Sequence, residues 1–252
     1  MYYSALYTIG ELMLSSLAAT PINLLLSSLS LQNRLEFLSN CEHVDLKLAD
    51  IIYNAGDHID YIYFPTDSII SLINPVDNNA GMGVALIGNE GMLGITIMLG
   101  SSLAPFSALV QASGSALRIS AKAFLKEIEK RPELQLTLKR YICVSFSQVV
   151  QTTVCNRFHV VEERLARLLL MICDKKHAKQ FYITQELLAQ MLGVRRVGVT
   201  KAAGSLKYKK LINYSRGLIG IHDTTGLEAV SCACYKIDKD IYHRILNSQT
   251  TE

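Results

Sequence analysis

The spacing of apolar positions changes twice along the chain. From Val44 the pattern alternates: Val44, Leu46 and Leu48 stand between Asp45, Lys47 and Ala49, the period of a strand with one buried face. Short apolar runs follow at 51–53, 61–64, 68–73, 83–87, 108–112 and 116–119. Turn signals separate them at Ala55-Gly56-Asp57, Pro65, Pro75 to Gly81, Gly88 to Gly91 and Gly114. All five prolines and nine of the fifteen glycines precede residue 133, which confines the turn-rich architecture to the first half. Many short strands at such intervals predict a sandwich or barrel. At Arg131-Pro132 the period lengthens. Proline suits the first position of a helix, and neither Pro nor Gly recurs until Gly193. Leu134, Leu138, Ile142, Ser145 and Val149 mark one stripe of this helix; Phe146, Val150 and Val154 mark a second. A helix apolar on two sides must be covered on two sides. One side suits the barrel and the other a second copy of the chain, with Leu134, Leu138, Ile142, Ser145 and Val149 as the expected dimer residues; the alternative is a helix buried inside a monomer. Glu162 and Glu163 then open a further helix, where carboxylates suit the N-terminal dipole, with Leu165, Leu168, Leu169 and Ile172 as its core face.

The stretch ITQELLAQMLGVRRVGVTKAAGSLKYKKLINYSRGLIGI, residues 183–221, reads as helix, turn, helix and hairpin. Thr184 is an N-cap residue, and Leu187, Leu188, Met191 and Leu192 give the first helix its apolar face. Gly193 supplies the residue past the helix end. The second helix begins near Arg196 and buries Val199, Ala202, Ala203 and Leu206. Its other face carries Arg196, Val197, Thr200, Lys201 and Gly204. Residues 211–214 and 218–221 are short strands around Ser215-Arg216-Gly217. A winged helix-turn-helix has this order, and so does an ordinary helical hairpin with a solvated basic face.

Charge separates the two readings. The 252 residues carry a net charge of +3. Arg157 to Arg216 holds thirteen Lys and Arg against four Asp and Glu, a net of +9, whereas residues 1–130 hold six against twelve, a net of −6. Such asymmetry marks a nucleic-acid-binding half joined to a half with another task. Half of the residues are apolar, ample for two cores. The expected DNA-binding set is Thr184, Gln185, Arg195, Arg196, Val197, Thr200, Lys201 and Arg216, of which Thr184, Gln185 and Arg216 are expected to touch the backbone and set the register.

ITQELLAQMLGVRRVGVT, with CNRFHVVEERLARLLL before it and YSRGLIGIHDTTGLEAVSCACY after it, resembles the DNA-binding part of the Crp/Fnr transcription regulators of bacteria. The resemblance is specific over about residues 155–235 and continues more weakly back to about residue 35. It implies an α+β protein: an N-terminal jelly-roll β-barrel domain like those that bind cyclic nucleotides (1–130), a dimerisation helix (131–158) and a C-terminal winged helix-turn-helix domain (159–252). The implied partners are double-stranded DNA with a palindromic operator and a second copy of the chain; RNA polymerase is a further candidate. Many members carry Arg-Glu and then Arg on the recognition helix, where this chain has Arg196, Val197 and Lys201, so the operator is expected to differ from the familiar one. Gly88 to Gln111 holds the place of the family's phosphate-binding cassette. Its Glu and Arg correspond here to Ile95 and Phe106, and a buried phosphate without a cation is costly. Cyclic AMP is therefore not the expected ligand. Gly91, Gly94, Ile95, Gly100, Phe106 and Ser107 outline a candidate pocket for an unknown small-molecule effector, although the glycines serve equally well as turns.

Other chemistries find little support. Residues 88–100 lack a P-loop lysine or a GxGxxG after a strand, and no nucleophile–base grouping is visible, so an enzyme using that region is a weaker reading, as is an interaction module. No cofactor or metal is expected: Cys232-x-Cys234 alone is weak evidence, because structural zinc wants four ligands, and only Cys41 lies in the first 140 residues. Six cysteines without a CxxC fit reduced thiols in a cytoplasmic protein. Leu12 to Asn33 is uncharged, but serines, Thr20, Pro21 and Asn23 interrupt it, so it is expected to form amphipathic helices covering the barrel rather than a membrane span.

Overall fold

The computed structural model describes residues 23–75 and 81–247. Among the described residues of the first half, seven strands form: β1 (Glu42–Leu46), β2 (Ile51–Tyr53), β3 (Tyr61–Pro65), β4 (Ile69–Pro75), β5 (Gly81–Ile87), β6 (Ser107–Ala112) and β7 (Gly114–Ser120). They form two antiparallel sheets, β1-β7-β3 and β2-β6-β4-β5. The alternation seen in the sequence puts Ile62 and Phe64 of β3, and Leu117 and Ile119 of β7, into one core. Phe37 meets Phe64 edge-on with ring centroids 5.6 Å apart, the geometry that aromatic quadrupoles favour.

Phe37 comes from α2 (Leu31–Leu38), preceded by α1 (Leu24–Ser27). Side chains of Asn23 and Ser30 cap the two helices. The amphipathic segment expected over Leu12–Asn33 begins outside the described residues; its described end contributes Leu25, Leu26 and Leu29 to the core. No helix among the described residues is long and apolar enough to cross a membrane. A helix not anticipated, α3 (Ala121–Lys130), follows β7 directly. Ser120 caps it, and Phe124 and Ile128 recur four residues apart on its buried face. Glu127 is buried on the same face and paired with Arg131, which also reaches Glu36 at 3.1 Å.

The long helix is α4 (Pro132–Phe158), with Pro132 in its first turn. Its two apolar stripes divide differently from the expected dimer set. Leu134 and Leu138 are fully buried in the protomer's own core, as are Tyr141 and Val144. Ser145 turns its hydroxyl to the Tyr141 carbonyl at 2.9 Å. Leu134 and Leu138 are thus core residues and face no partner. The exposed stripe is the second: Phe146 is 70% exposed, and Val150, Val154 and Phe158 continue it at four-residue steps, with Val149 at its side. Periodicity finds both stripes, but only the packing of the sheets decides which one turns inward.

The second half consists of α5 (Val161–Lys176), β8 (Gln180–Tyr182), α6 (Gln185–Leu192), α7 (Arg196–Tyr208), β9 (Ile212–Ser215), β10 (Leu218–Ile221), α8 (Thr224–Val230) and α9 (Cys234–Asn247). The strands pair in the order β8-β10-β9. The core of this half continues onto Ile69, Leu86 and Ala112 of the four-stranded sheet, so the two halves share apolar surface. Gly83 is the point of closest approach. A Cβ there would lie 2.9 Å from the Met191 Cα and nearer still to its sulfur, so α6 rests directly on β5. Gly83→Val is expected to drive α6 off β5 and leave the sheet core intact. Hydrogen exchange should then rise across 183–208 and stay near wild type in β3 and β7.

Candidate nucleic-acid interface

Thr184 accepts from the Leu187 amide and starts α6, and Gly193 ends it in the left-handed conformation with φ +61°. Two residues later Arg195 stands at the N-cap of α7. The buried side of α7 is Val199, Ala202, Ala203 and Leu206, as the spacing requires. Small residues in its middle let the helix lie close to α5. The opposite side is exposed and holds two ridges at four-residue spacing, Arg196–Thr200 and Val197–Lys201.

Gln185 links the helices. Its side-chain oxygen accepts from the Thr200 hydroxyl at 2.9 Å and from Arg196 Nε at 3.4 Å. The first residue of α6 thereby holds the first residue of α7 in place. Tyr214 of β9 lies beside the same pair; burial pushes its phenol up, and the Arg196 charge and a backbone bond to Gln185 pull it down. Arg216 and Gly217 form the two-residue tip between β9 and β10, both with positive φ (49° and 84°), the turn that matches strand twist. The tip sends the exposed Arg216 outward. The eight anticipated residues thus lie on the start of α6, the start of α7 and one hairpin tip, all on described surface.

Gly204 belongs to this face. A Cβ there would meet no heavy atom within 4 Å. Packing within the chain therefore does not call for a glycine at a helical position where glycine costs about 1 kcal/mol relative to alanine. Gly204→Ala should stabilise the protein by roughly 0.5–1 kcal/mol, read as a higher urea midpoint with unchanged slope.

The candidate effector set gathers differently. Gly94 and Gly100 flank a single 3-10 turn, Ile95–Leu99, both with positive φ. Gly91 accommodates the Tyr141 hydroxyl, where a Cβ would collide. Ile95 and Phe106 pack against the sheet core, and Ser107 accepts from the Ala55 amide at 3.0 Å. Each residue has a role in turns or packing, and none lines the cavity at the junction of the two halves. That cavity, about 480 Å³, lies between Asn89 and Glu90, the end of α5 (Lys175, His177) and α9 (Tyr235, Tyr242). Lys175 is ion-paired with Glu90 across it, and His177 meets Asn89 at 2.7 Å.

One grouping escaped the sequence reading. Cys155 and His159, on the last turn of α4, meet Cys232 and Cys234 at the start of α9; their four ligand atoms all lie within 4.8 Å of one another. Hydrogen bonding from Cys232 is the largest influence on the Cys155 thiol and draws it down from the ordinary thiol range, with the Arg167 charge acting the same way. The Cys232 thiol is raised by the same bond and by burial. The signals were present in the sequence as Cys-x3-His and Cys-x-Cys, but 73 residues separate His159 from Cys232.

Residues 163–230 match the family model described as the Crp-like helix-turn-helix domain. Among solved structures, FixK2 of Bradyrhizobium japonicum superposes with a TM-score of 0.66 at 12% identity, over 77% of this chain and 98% of that one. The c-di-GMP responsive global regulator CLP of Xanthomonas campestris gives 0.63 at 13%, over 77% and 99%. A CRP/FNR-family transcriptional regulator of Thermus thermophilus gives 0.60 at 19%, over 75% and 98%. The chain has the Crp/Fnr fold and a Crp-like helix-turn-helix domain. No curated protein sequence matches it. The matched segment begins in α5 and ends with α8, so it contains α6, α7 and the β9–β10 hairpin. It stops two residues short of Cys232.

Proposed function

We propose that the protein is a homodimeric, sequence-specific DNA-binding transcription regulator rather than an enzyme. One observation carries the reading: Arg196, Val197, Thr200 and Lys201 stand exposed on the face of α7 opposite its buried stripe, with Arg216 on the hairpin tip as a further exposed cation. A helix of this kind fits the major groove, and its N-terminal residues contact base edges. Arg196 can pair bidentately with guanine, and Val197, 58% exposed, can meet a thymine methyl. Thr184, Gln185, Arg195 and Arg216 fit phosphate contacts that set register without reading sequence. The open surface at Gly204 allows the sugar–phosphate backbone to come close.

The N-terminal half is the counterpart of the family's cyclic-nucleotide-binding jelly roll. Ile95 and Phe106 replace its polar anchors, so cyclic AMP is not its ligand. We place effector binding instead in the interdomain cavity beside Glu90 and Lys175, whose occupancy both halves would feel. The dimer seam is the exposed stripe Phe146, Val150 and Val154, because paired half-sites require paired reading helices.

Binding-site selection tests the DNA reading. Arg196→Ala should flatten preference at one symmetric pair of base positions, a loss of about 1–3 kcal/mol of discrimination there. Arg216→Ala should weaken all sequences alike and make the salt slope shallower by about one unit. Unchanged preference in Arg196→Ala would show that α7 does not read bases. Sedimentation tests the seam: Phe146→Lys combined with Val150→Lys should yield monomers, whereas Leu136→Lys, outside it, should leave the dimer whole.

A further inference from the structure

We propose that Cys155, His159, Cys232 and Cys234 form a tetrahedral zinc site that clamps the base of the DNA-reading unit to the long helix. Cys155 Sγ lies 3.5 Å from Cys232 Sγ, and Cys234 Sγ lies 3.5 Å from His159 Nδ1. A tetrahedral Zn²⁺ with bonds of about 2.0–2.3 Å places its ligand atoms roughly 3.5–3.8 Å apart. The four atoms therefore surround a volume of the right size for one ion. They stand too close together to enclose a multi-iron cluster, whose irons and sulfides must fit between the cysteines. A Cys3His donor set selects zinc among common divalent ions.

The backbone delivers these ligands in two pairs. Cys155 and His159 are four residues apart on one helix face, with His159 as the C-cap of α4. Cys232 and Cys234 flank Ala233 at the start of α9, in a turn held by the Tyr235 amide on the Cys232 carbonyl at 3.2 Å. The three cysteines are buried and form a cluster separate from the two larger cores. Gln151 Nε2 donates to Cys234 Sγ at 2.9 Å, the kind of outer bond that orients a metal-bound thiolate.

Charge supports an anionic centre. Arg164 and Arg167 are buried and border the same small cavity as Cys155. Arg167 has a carboxylate partner, Asp238, at 2.5 Å. The hydrogen bonds of Arg164 go to neutral groups, the Asn156 side-chain oxygen at 2.6 Å and the Leu192 carbonyl. A buried cation needs compensation. Three thiolates, one neutral imidazole and Zn²⁺ sum to one negative charge, which matches Arg164.

The two ligand pairs bracket α5 through α8. Metal binding would close that entire unit into a loop pinned at its base, and clips across long loops restrict the unfolded chain strongly. The metal site does not depend on the DNA reading, and its test uses no DNA.

Full-length protein purified under reducing conditions and supplied with Zn²⁺ should retain one zinc per chain after desalting, measured by elemental analysis. Replacement by Co²⁺ should give tetrahedral d–d bands and a thiolate-to-cobalt charge-transfer band. Cys234→Ser should lose most of the metal, Gln151→Ala should bind it roughly tenfold more weakly, and Cys173→Ser, outside the cluster, should bind one equivalent. His159→Cys should keep the ion with cobalt bands shifted toward an all-thiolate centre, which keeps the assignment testable even where a serine variant fails to fold. Less than a tenth of an equivalent of zinc in folded, reduced wild type, with no cobalt bands, would overturn the site. So would a Cys155–Cys232 disulfide that persists under the reducing conditions, or equal metal content in wild type and a folded Cys234→Ser.

Discussion

One 27-residue helix is buried along its first half and exposed along much of its second, and the arrangement of this protein turns on it. The helix Pro132–Phe158 is about 40 Å long, longer than either sheet is wide. Its first half supplies Leu134, Leu138 and Tyr141 to the sheet core. Its second half leaves Phe146, Val150, Val154 and Phe158 in solvent while carrying Cys155 inward at its end. One rigid rod thus reaches the sheet core, the exposed seam and the base of the helix-turn-helix unit. Any rotation of the rod that improved one of these contacts would disturb the other two.

The two halves are further held by polar groups set in a shared apolar surface. Lys175 and Glu90 pair across the boundary, and Lys176 donates to the carbonyls of Asp67 at 2.7 Å and Ser113 at 3.0 Å. Arg164 donates to the Leu192 carbonyl at the end of α6, supplying a partner that a helix C-terminus lacks. Such buried charges add little net stability, because desolvation offsets attraction, but separating them is expensive. Their effect is to select one orientation of the reading unit against the sheets. Tyr242 donates to the Glu90 carbonyl at 3.1 Å, so the Gly88–Gly91 turn is gripped from α5 and from α9. That turn is the natural place for the first half to influence the second.

What was legible in the sequence was what local periodicity encodes. Alternation gave the strands of both sheets, and the 3.6-residue period gave α4, α6 and α7 with their buried faces. The cap residues Thr184 and Gly193 fixed the ends of α6, and of the two hairpin strands only the first shifted, by a single residue. α3 was missed because Phe124 and Ile128 follow a strand without a break, and Ser120 does not stand out as a cap when serines are frequent. Arg196, Val197, Thr200 and Lys201 could be chosen because side chains opposite Val199 and Leu206 on one helix face outward, whereas Thr184, Gln185, Arg195 and Arg216 were placed by the order of helix, turn and hairpin. Both stripes of α4 satisfy the helical period, and the choice between them belongs to the sheets: Leu134 and Leu138 of the expected dimer stripe are buried, whereas Val149 of the same stripe is exposed. Arg164 and Arg167 are charged residues on an amphipathic helix, yet both are buried. Their partners, Leu192 and Asp238, lie 28 and 71 residues away.

The cysteine–histidine group shows the same limit in its sharpest form. Ligand-spacing rules work when one local turn presents two ligands and a nearby turn presents the other two. Here each pair is local, Cys155 with His159 and Cys232 with Cys234, but the pairs meet only after the intervening unit has folded and placed α9 against α4. A metal ion at this point would sense completion of the fold rather than drive its first steps, because no unfolded segment presents all four ligands together. Its binding free energy would then add to the stability of the finished unit, and its loss would loosen the base of the reading helices without exposing either large core. A protein with such a clamp would answer to thiol oxidation or metal withdrawal at the junction of its halves, some distance from the arginines that face outward.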